Sequence, residues 1–270
     1  MSRWLRDLPG QAHNQEVYVM MTESSPTADM SAPVSGSPER LGFFGKFWNL
    51  FVDPRKTFAS INGGHEWVIL WLVISVVSIA GYYPIKDIVK AGQMETVEKN
   101  LAKNDAITPE QRQEILDGIE ENFENPIYLL FVPLSQVVVL LFVAAILLFI
   151  ANILLGGSTN YLPMLNAYAW TGMLAILGTL VVVPLVMAKG SMDVSLGLGV
   201  LATEDTGPFV KKVLSSFEFF GLWQVWLSSV AVSVLGKAPT GKSFAAVFAA
   251  WLVWVLVQGG LSTLGVNLGM

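Results

Sequence analysis

The sequence predicts an all-α integral membrane protein, a polytopic bundle of about five transmembrane helices. Of its 270 residues, 53% are apolar and only 14% are charged. A soluble domain usually carries about 25% charged residues, because its surface must be hydrated. No Asp, Glu, Lys or Arg occurs between Asn125 and Ala188. A helix needs about 20 residues to cross a hydrocarbon core of about 30 Å, so this run holds two spans and a turn.

Five apolar segments are long enough to cross the membrane. We expect spans over residues 67–85, 127–155, 165–188, 213–235 and 243–264. Trp67 at one end of the first span, and Tyr82-Tyr83 near the other, are typical of the two membrane interfaces. Gly156-Gly157 supplies the turn between the second and third spans. The transmembrane domain as a whole is predicted to cover residues 65–270.

Two different segments precede the first span. Residues 1–40 are polar and rich in Ser, Pro and Thr, and such a composition predicts a disordered tail. Apolar residues fall at helical spacing in residues 41–64, and Asp53-Pro54 is typical of an N-cap followed by a first helical residue. We predict a pair of amphipathic helices in the membrane interface, with Lys46, Arg55 and Lys56 available to lipid phosphates. The alternative is a soluble cap packed on the bundle.

Residues 86–125 form a polar insert between the first two spans. Thr108-Pro109 starts a second helix within it, so the pattern predicts a small helical hairpin outside the membrane. The insert contains ten acidic and five basic residues. We interpret this charge as a solvated face, and a docking surface for a basic partner is the alternative.

The composition argues against most catalytic chemistry. There is no cysteine, and the histidines are His13 and His65 alone, so thiol nucleophiles and thiolate metal sites are excluded. No Ser/His/Asp group or carboxylate pair is apparent in the apolar core. The net charge of −5 gives no reason to expect nucleic acid. We therefore expect a non-enzyme with no catalytic, metal or cofactor site.

The string from Gly236 to Ser243 matches the phosphate-loop pattern G-x-x-x-x-G-K-[ST]. A phosphate loop follows a strand and needs an aspartate elsewhere to hold magnesium. Here the string follows an apolar run of span length, and no acidic residue occurs after Lys242. We do not expect nucleotide binding. A tight turn between two spans, with its lysines at lipid headgroups, explains the same residues.

Glu218 is the one acidic residue inside a predicted span, about six residues into the fourth, with Lys211 on the same face. Carboxylates within membranes usually mark a pathway, a relay or an ion pair. The alternative is a solvated or paired position at the interface. Uncharged polar residues also occur within spans, and we interpret them as interhelical hydrogen bonds. A transport path would instead require a shared cavity near Glu218, lined by Gln136, Asn152 or Gln224.

Several short strings, in their order along the chain, resemble a known family of membrane proteins. They are Pro54-x-x-x-Phe58 before Trp67, Gly156-Gly157 with Tyr161 and Ala167-Tyr168-Ala169, Val194-Ser195-Leu196, and Phe217-Glu218-Phe219-Phe220-Gly221-Leu222-Trp223. Together they resemble the Yip family, which comprises Ypt/Rab-interacting membrane proteins and their bacterial relatives. The last string is similar to an Asp-x-Phe-x-x-Trp signature, with glutamate in place of aspartate. The similarity covers roughly residues 45–260. Trp170-Thr171-Gly172 departs from the pattern, since many members carry proline there.

This resemblance implies a five-span bundle with a cytosolic N-terminus, although the distribution of Lys and Arg does not favour that orientation. In eukaryotic members it implies vesicle traffic through small-GTPase and membrane-protein partners, and in bacterial relatives little beyond membrane residence. The lack of cysteine favours a bacterial inner membrane. We expect a scaffold that binds the bilayer and other membrane proteins or itself, and the alternative is a small transporter or channel using Glu218. The candidate functional residues are Asp53, Pro54, Gly156, Gly157, Tyr168, Glu218 and Trp223.

Overall fold

The computed structural model describes residues 41–102, 107–125, 127–203 and 205–263. The polar tail predicted for residues 1–40 and the last residue of the predicted fifth span lie outside these ranges. Within them the regular structure is helical, apart from one isolated antiparallel bridge between Gly197 and Glu218. The predicted all-α class is confirmed.

The elements follow one another along the chain. The α-helices are α1 (Phe43–Val52), α2 (Pro54–Ala59), α3 (Glu66–Tyr82), α4 (Lys86–Ala102), α5 (Pro109–Glu124), α6 (Tyr128–Phe149), α7 (Tyr161–Thr171), α8 (Leu174–Lys189), α9 (Pro208–Ser216), α10 (Phe219–Leu235) and α11 (Thr240–Thr263). Short 3-10 turns occupy Tyr83–Ile85 and Leu198–Leu201, and a π-helical turn occupies Ile150–Leu154.

Four stretches in the described part of the chain are long and apolar enough to cross a membrane. They are Glu66–Ala102, Leu129–Leu154, Tyr161–Lys189 and Thr240–Thr263. The fifth apolar helix, α10, has 17 residues, which corresponds to about 25 Å along the helix axis. It lies at the lower limit of the length that a membrane crossing requires. The chain is thus a polytopic helical bundle, as predicted.

The helices do not follow the predicted spans at every boundary. The first continues past residue 85 into the insert, through the turn Tyr83–Ile85. The third starts at Tyr161 and is interrupted after Thr171, where Gly172 and Met173 separate α7 from α8. The fourth is divided at Phe217-Glu218 into an amphipathic helix, α9, and an apolar one, α10.

The insert between the first two crossings contains α4 and α5. Lys90 joins the two helices through an ion pair of 2.6 Å with Glu120. A capping box starts α5: the Thr108 hydroxyl accepts from the Gln111 amide at 3.3 Å, and the Gln111 side chain accepts from the Thr108 amide at 3.0 Å. Both backbone donors at this helix end are therefore satisfied.

The helix pair α1–α2 packs on the bundle through one face. Leu50 and Phe58 are fully buried there, in a cluster with Trp170, Leu70 and Leu227. The opposite face of α1 is a stripe at four-residue spacing, in which Phe44 is 84%, Trp48 68% and Val52 65% exposed. The helix pair thus has an exposed apolar face, as an amphipathic pair requires, and it also packs on the bundle, as in the alternative prediction of a cap.

Candidate functional site

An ion pair with a buried lysine ties the N-terminal helix pair to the bundle. The Lys46 ammonium group of α1 donates to Glu66 Oε1 at 2.5 Å, and Glu66 is the first residue of α3. The indole N–H of Trp170 in α7 donates to the other carboxylate oxygen at 2.9 Å. One carboxylate therefore joins three helices that are distant in the sequence. Charge-assisted hydrogen bonds of this kind are about twice as strong as neutral ones.

Asn166 extends this network by one turn of α7. Its side-chain oxygen accepts from the Trp67 amide at 2.8 Å, which satisfies a free N–H in the first turn of α3. Its side-chain nitrogen donates to the carbonyls of Asn62 and Gly64 at 3.2 and 2.6 Å. Asn166 thus holds the segment between α2 and α3 against the bundle.

Aromatic side chains form a second contact between the helix pair and the bundle. The ring of Phe51 meets Trp223 of α10 edge to face, with centroids 5.7 Å apart. Phe47 contacts Phe51 at 5.2 Å, and Phe219 contacts Trp223 at 5.5 Å. Trp223 was predicted as a candidate, and the structure places it where α1 docks on α10.

The expected exposure of Lys46 to lipid phosphates is wrong. Lys46 is only 5% exposed, because it lies one turn before Leu50 on the buried face of α1. Arg55 and Lys56 remain exposed. The sequence also did not identify Glu66 as the partner of Lys46. The one available signal was that Glu66 is a carboxylate directly beside the first span. Its pairing with Lys46 joins residues 20 positions apart and needs the fold.

Asp53 and Pro54 lie at the bend between α1 and α2. Pro54 is buried and is the first residue of α2. The Asp53 side chain makes no capping hydrogen bond, and pairs instead with Lys56 at 3.4 Å. These two residues therefore set the angle between α2 and α1, the helix that carries both Lys46 and Phe51.

Glu218 does not lie inside a helical span, and that prediction is wrong. It is the residue before α10, and its backbone is extended. The amide of Phe219 donates to the Leu196 carbonyl at 3.4 Å, and the amide of Leu198 donates to the Phe217 carbonyl at 3.1 Å. The segment around Gly197 thus pairs with this junction. The close approach requires glycine, because a Cβ at position 197 would lie 1.9 Å from the Phe217 carbonyl oxygen.

The Glu218 side chain is exposed at this junction. The protein atoms around its carboxyl group displace water, which raises its pKa above the usual value, and the nearby charge of Lys212 opposes that shift. Lys211 does not share a helix with Glu218, since α9 ends at Ser216.

The glycine pair forms a close turn at the opposite end of α10. Gly156 has φ of +71°, a value that glycine adopts without steric cost. A Cβ at Gly157 would lie 2.5 Å from the Gly236 carbonyl oxygen and 2.8 Å from the Ala151 carbonyl oxygen. Glycine at 157 therefore allows the turn after α6 to touch the turn after α10. Tyr168 packs nearby, in the cluster that holds Met164 and Val232.

The phosphate-loop pattern is the turn between two apolar helices. Gly236 follows α10, Lys237 has φ of +53°, and α11 begins at Thr240. The Ser243 hydroxyl, which would hold magnesium in a phosphate loop, is buried and donates to the Pro239 carbonyl at 3.2 Å. A helix, and not a strand, precedes the turn, so its backbone differs from that of a phosphate loop.

The polar residues considered for a transport path bond elsewhere. Gln136 bonds to Ser75 and Ser78 of α3 at 3.0 and 3.1 Å. Asn152 makes two hydrogen bonds to the backbone of Thr159, at 2.8 and 2.9 Å. These contacts join α6 to α3 and close the turn after α6. Among the described residues, no group of three or more His, Cys, Asp or Glu side chains could hold a metal ion.

The predicted candidates thus fall at three places. Trp223, Asp53 and Pro54 belong to the docking site of the helix pair, the two glycines and Tyr168 lie near the turn at Gly236, and Glu218 lies at the α9–α10 junction. The docking site joins parts of the chain that are distant in the sequence and contains an ion pair with a buried lysine. We take it as the candidate functional site.

Comparison with known proteins gives a match to one family. A family model, the Yip1 domain, matches residues 48–261, which include the second half of α1 and nearly all of the described helical bundle. No curated protein and no solved structure matches the chain significantly. The resemblance seen in the short strings is confirmed, and because the model spans most of the chain, the protein belongs to the Yip1 domain family.

Proposed function

We propose that this Yip-type membrane protein is a non-enzymatic scaffold that binds other membrane proteins or a second copy of itself. The observation that carries the proposal is the stripe of Phe44, Trp48 and Val52 on a firmly docked helix. Aromatic residues are enriched at the centres of protein interfaces, where they supply large contact areas. The ion pair and the aromatic contacts behind α1 hold this stripe in one orientation.

The stripe also suits the surface of a bilayer. Amphipathic helices bind there through an apolar face that contains Trp and Phe. A stripe that lies in the membrane interface would also meet protein partners confined to the same membrane. Contact with lipid and contact with protein are therefore both consistent with a scaffold. This reasoning favours local organisation of the membrane over chemistry on a soluble substrate.

The rival function is transport through Glu218. The raised pKa of this carboxyl group supports a role in proton exchange, because perturbed carboxyl groups at membrane helices often belong to proton relays. The geometry of the site favours transport less than it favours the scaffold role. Glu218 is exposed at a helix junction, while Gln136 and Asn152 are engaged in contacts between or beside other helices.

We further propose that the protein resides in a bacterial cytoplasmic membrane with its N-terminus in the cytoplasm. A long polar N-terminal segment costs much to export, and the absence of cysteine suits a bacterial inner-membrane protein. The same orientation places Arg55 and Lys237 on the cytoplasmic side, although the distribution of Lys and Arg over the chain does not favour it.

The scaffold proposal is tested by purification from native membranes under mild detergent. We expect a stoichiometric membrane-protein partner or a second copy with the wild type, and at least about tenfold less with Phe44→Ser/Trp48→Ser, because the stripe loses its buried area. Val76→Ser is the control, since Val76 is 65% exposed, close to the 68% of Trp48, but lies on α3. It should retain the partner.

Two results would contradict the proposal. One is recovery of the wild type as a monomer with no stoichiometric partner. The other is ion or proton flux in proteoliposomes that Glu218→Gln abolishes, which would assign the protein to the transporters.

A further inference from the structure

A basic cleft lies between the N-terminal helix pair and the turn that follows α10. It is an open cavity of about 390 Å³, lined by Arg55, Ala59, Ser233, Val234, Lys237 and Ala238. The two segments that form it are about 180 residues apart in the chain, so the cleft exists only because the helix pair is docked.

Hydrogen bonds position one wall of this cleft. The Arg55 guanidinium donates to the Thr240 hydroxyl at 2.8 Å, and this hydroxyl lies 3.1 Å from the Ser233 hydroxyl. Arginine has five N–H donors in a fixed plane, and the contact with Thr240 uses one of them. The guanidinium is thereby held at the rim of the cleft with donors left to bind a further acceptor.

Lys237 brings a second cation to the opposite wall. It is exposed and has φ of +53°, a left-handed conformation that only a few per cent of residues other than glycine adopt. Lys56 and Lys242 are exposed on the same two segments. The carboxylate on these segments is Asp53, which is paired with Lys56, and no acidic residue follows Glu218 in the sequence. The cleft is therefore electropositive.

Its position in the fold selects the kind of anion. Lys237 lies in a short turn between two apolar helices, α10 and α11, so it must lie close to one surface of the bilayer. Basic residues at such a surface are attracted to anionic headgroups by about 1 kcal/mol each. An arginine fork also matches the geometry of phosphate oxygens.

We propose that the cleft between Arg55 and Lys237 binds the phosphate group of an anionic phospholipid headgroup. This site is independent of the scaffold role, because it lies on α2 and the α10–α11 turn and not on the exposed stripe of α1. A bound lipid would bridge the helix pair and the bundle, and so add to the docking made by Lys46 and Glu66.

The test is lipid binding to the full-length protein in detergent, followed by native mass spectrometry. Phosphatidylglycerol and phosphatidylcholine are titrated separately, and we expect the anionic lipid to bind at least about tenfold more tightly. Arg55→Gln/Lys237→Asn should lower its affinity at least about tenfold, since two charge-assisted contacts are lost. Glutamine can still donate to Thr240, and asparagine tolerates the positive φ at 237.

Lys211→Gln/Lys212→Gln is the matched control, because it removes two exposed or half-exposed lysines at the far end of α10. It should leave the affinity within about twofold. Circular dichroism verifies that each variant is folded, and Lys237→Asn alone, which leaves the Arg55 contact intact, serves if the double variant unfolds. Equal affinity for the two lipids, or an equal loss in the control, would overturn the proposal. Displacement of the lipid by equimolar inorganic phosphate would also overturn it, and would assign the cleft to a soluble anion.

Discussion

The two partners of the Lys46–Glu66 ion pair differ in their exposure to solvent. The side chain of Lys46 is 6% exposed and that of Glu66 is 31% exposed. Removing a charge from water is costly, and the ion pair and its hydrogen bonds offset that cost only when both partners are present. Loss of Glu66 would therefore leave a buried ammonium group with no compensating charge, whereas the carboxylate would be partly hydrated if Lys46 were lost.

Glu66→Gln should lower the free energy of unfolding by about 1–3 kcal/mol, less than the loss of a fully buried partner because Glu66 is partly exposed. Unfolding in mixed micelles, followed by circular dichroism, measures the change. Glu95→Gln is the control, since its pair with Lys99 is exposed at 65% and 69%, and should change stability little. Lys46→Met/Glu66→Gln should recover most of the loss. Equal stability of Glu66→Gln and Glu95→Gln would show that the buried pair contributes nothing.

At the scale of elements, the junction between α9 and α10 departs most from expectation. The sequence from Val213 to Leu235 is a continuous apolar run with one carboxylate, and its hydropathy fits one helix. The structure stops the helix at Ser216, because the Phe217 carbonyl and the Phe219 amide bond to Leu198 and Leu196 instead of to the neighbouring helical turns. This is a long-range competition for hydrogen bonds, and helical periodicity carries no signal of it.

Gly197→Ala should open this junction, since its Cβ would lie 1.9 Å from the Phe217 carbonyl oxygen and 2.8 Å from the Glu218 Cα. Backbone atoms cannot move aside as a flexible side chain can. We expect amide hydrogen exchange at Leu198 and Phe219 to rise at least about tenfold, which corresponds to about 1.4 kcal/mol of lost local protection.

Gly207→Ala is the matched control for this exchange experiment. It lies on the same connection before α9, has φ of −55°, and has no atom within 4 Å of the new Cβ. Exchange at the two amides should be unchanged in this variant. Unchanged exchange in Gly197→Ala as well would contradict the close packing at the bridge.

At the scale of the whole molecule, hydropathy was sufficient to predict the bundle and insufficient to predict its contacts. Long runs without charge, such as Asn125–Ala188, predict membrane helices because lipid requires every backbone group to bond within the helix. The pairings of Lys46 with Glu66 and of Gly157 with Gly236 depend on how helices associate in three dimensions. A single sequence records the residue types in these pairs but not which partners meet.

Helix length and helix contacts give different numbers of membrane crossings, because they differ on whether α10 crosses. By length, α10 with its 17 residues falls short of the four described stretches that are long enough to cross a membrane. Its contacts nevertheless extend from one end of the bundle to the other, because the turn at Gly236 touches Gly157 while Glu218 pairs with Gly197. A helix somewhat shorter than the bilayer core can cross if the bilayer thins locally, at a cost of a fraction of a kcal/mol per Å.

Five crossings predict which surfaces share a side of the membrane. The chain contains no cysteine, so single-cysteine variants can be labelled with an impermeant maleimide against a parent that gives no signal. Lys56→Cys and Lys242→Cys should react from one side, and Glu114→Cys, in the insert, from the other. All three positions are exposed. If α10 does not cross, Lys242→Cys will instead react together with Glu114→Cys, because one crossing fewer places the α10–α11 turn on the opposite side. That result would also separate Lys237 from Arg55 and contradict the cleft, so this labelling tests the contact between Arg55 and Thr240 on which the lipid site depends.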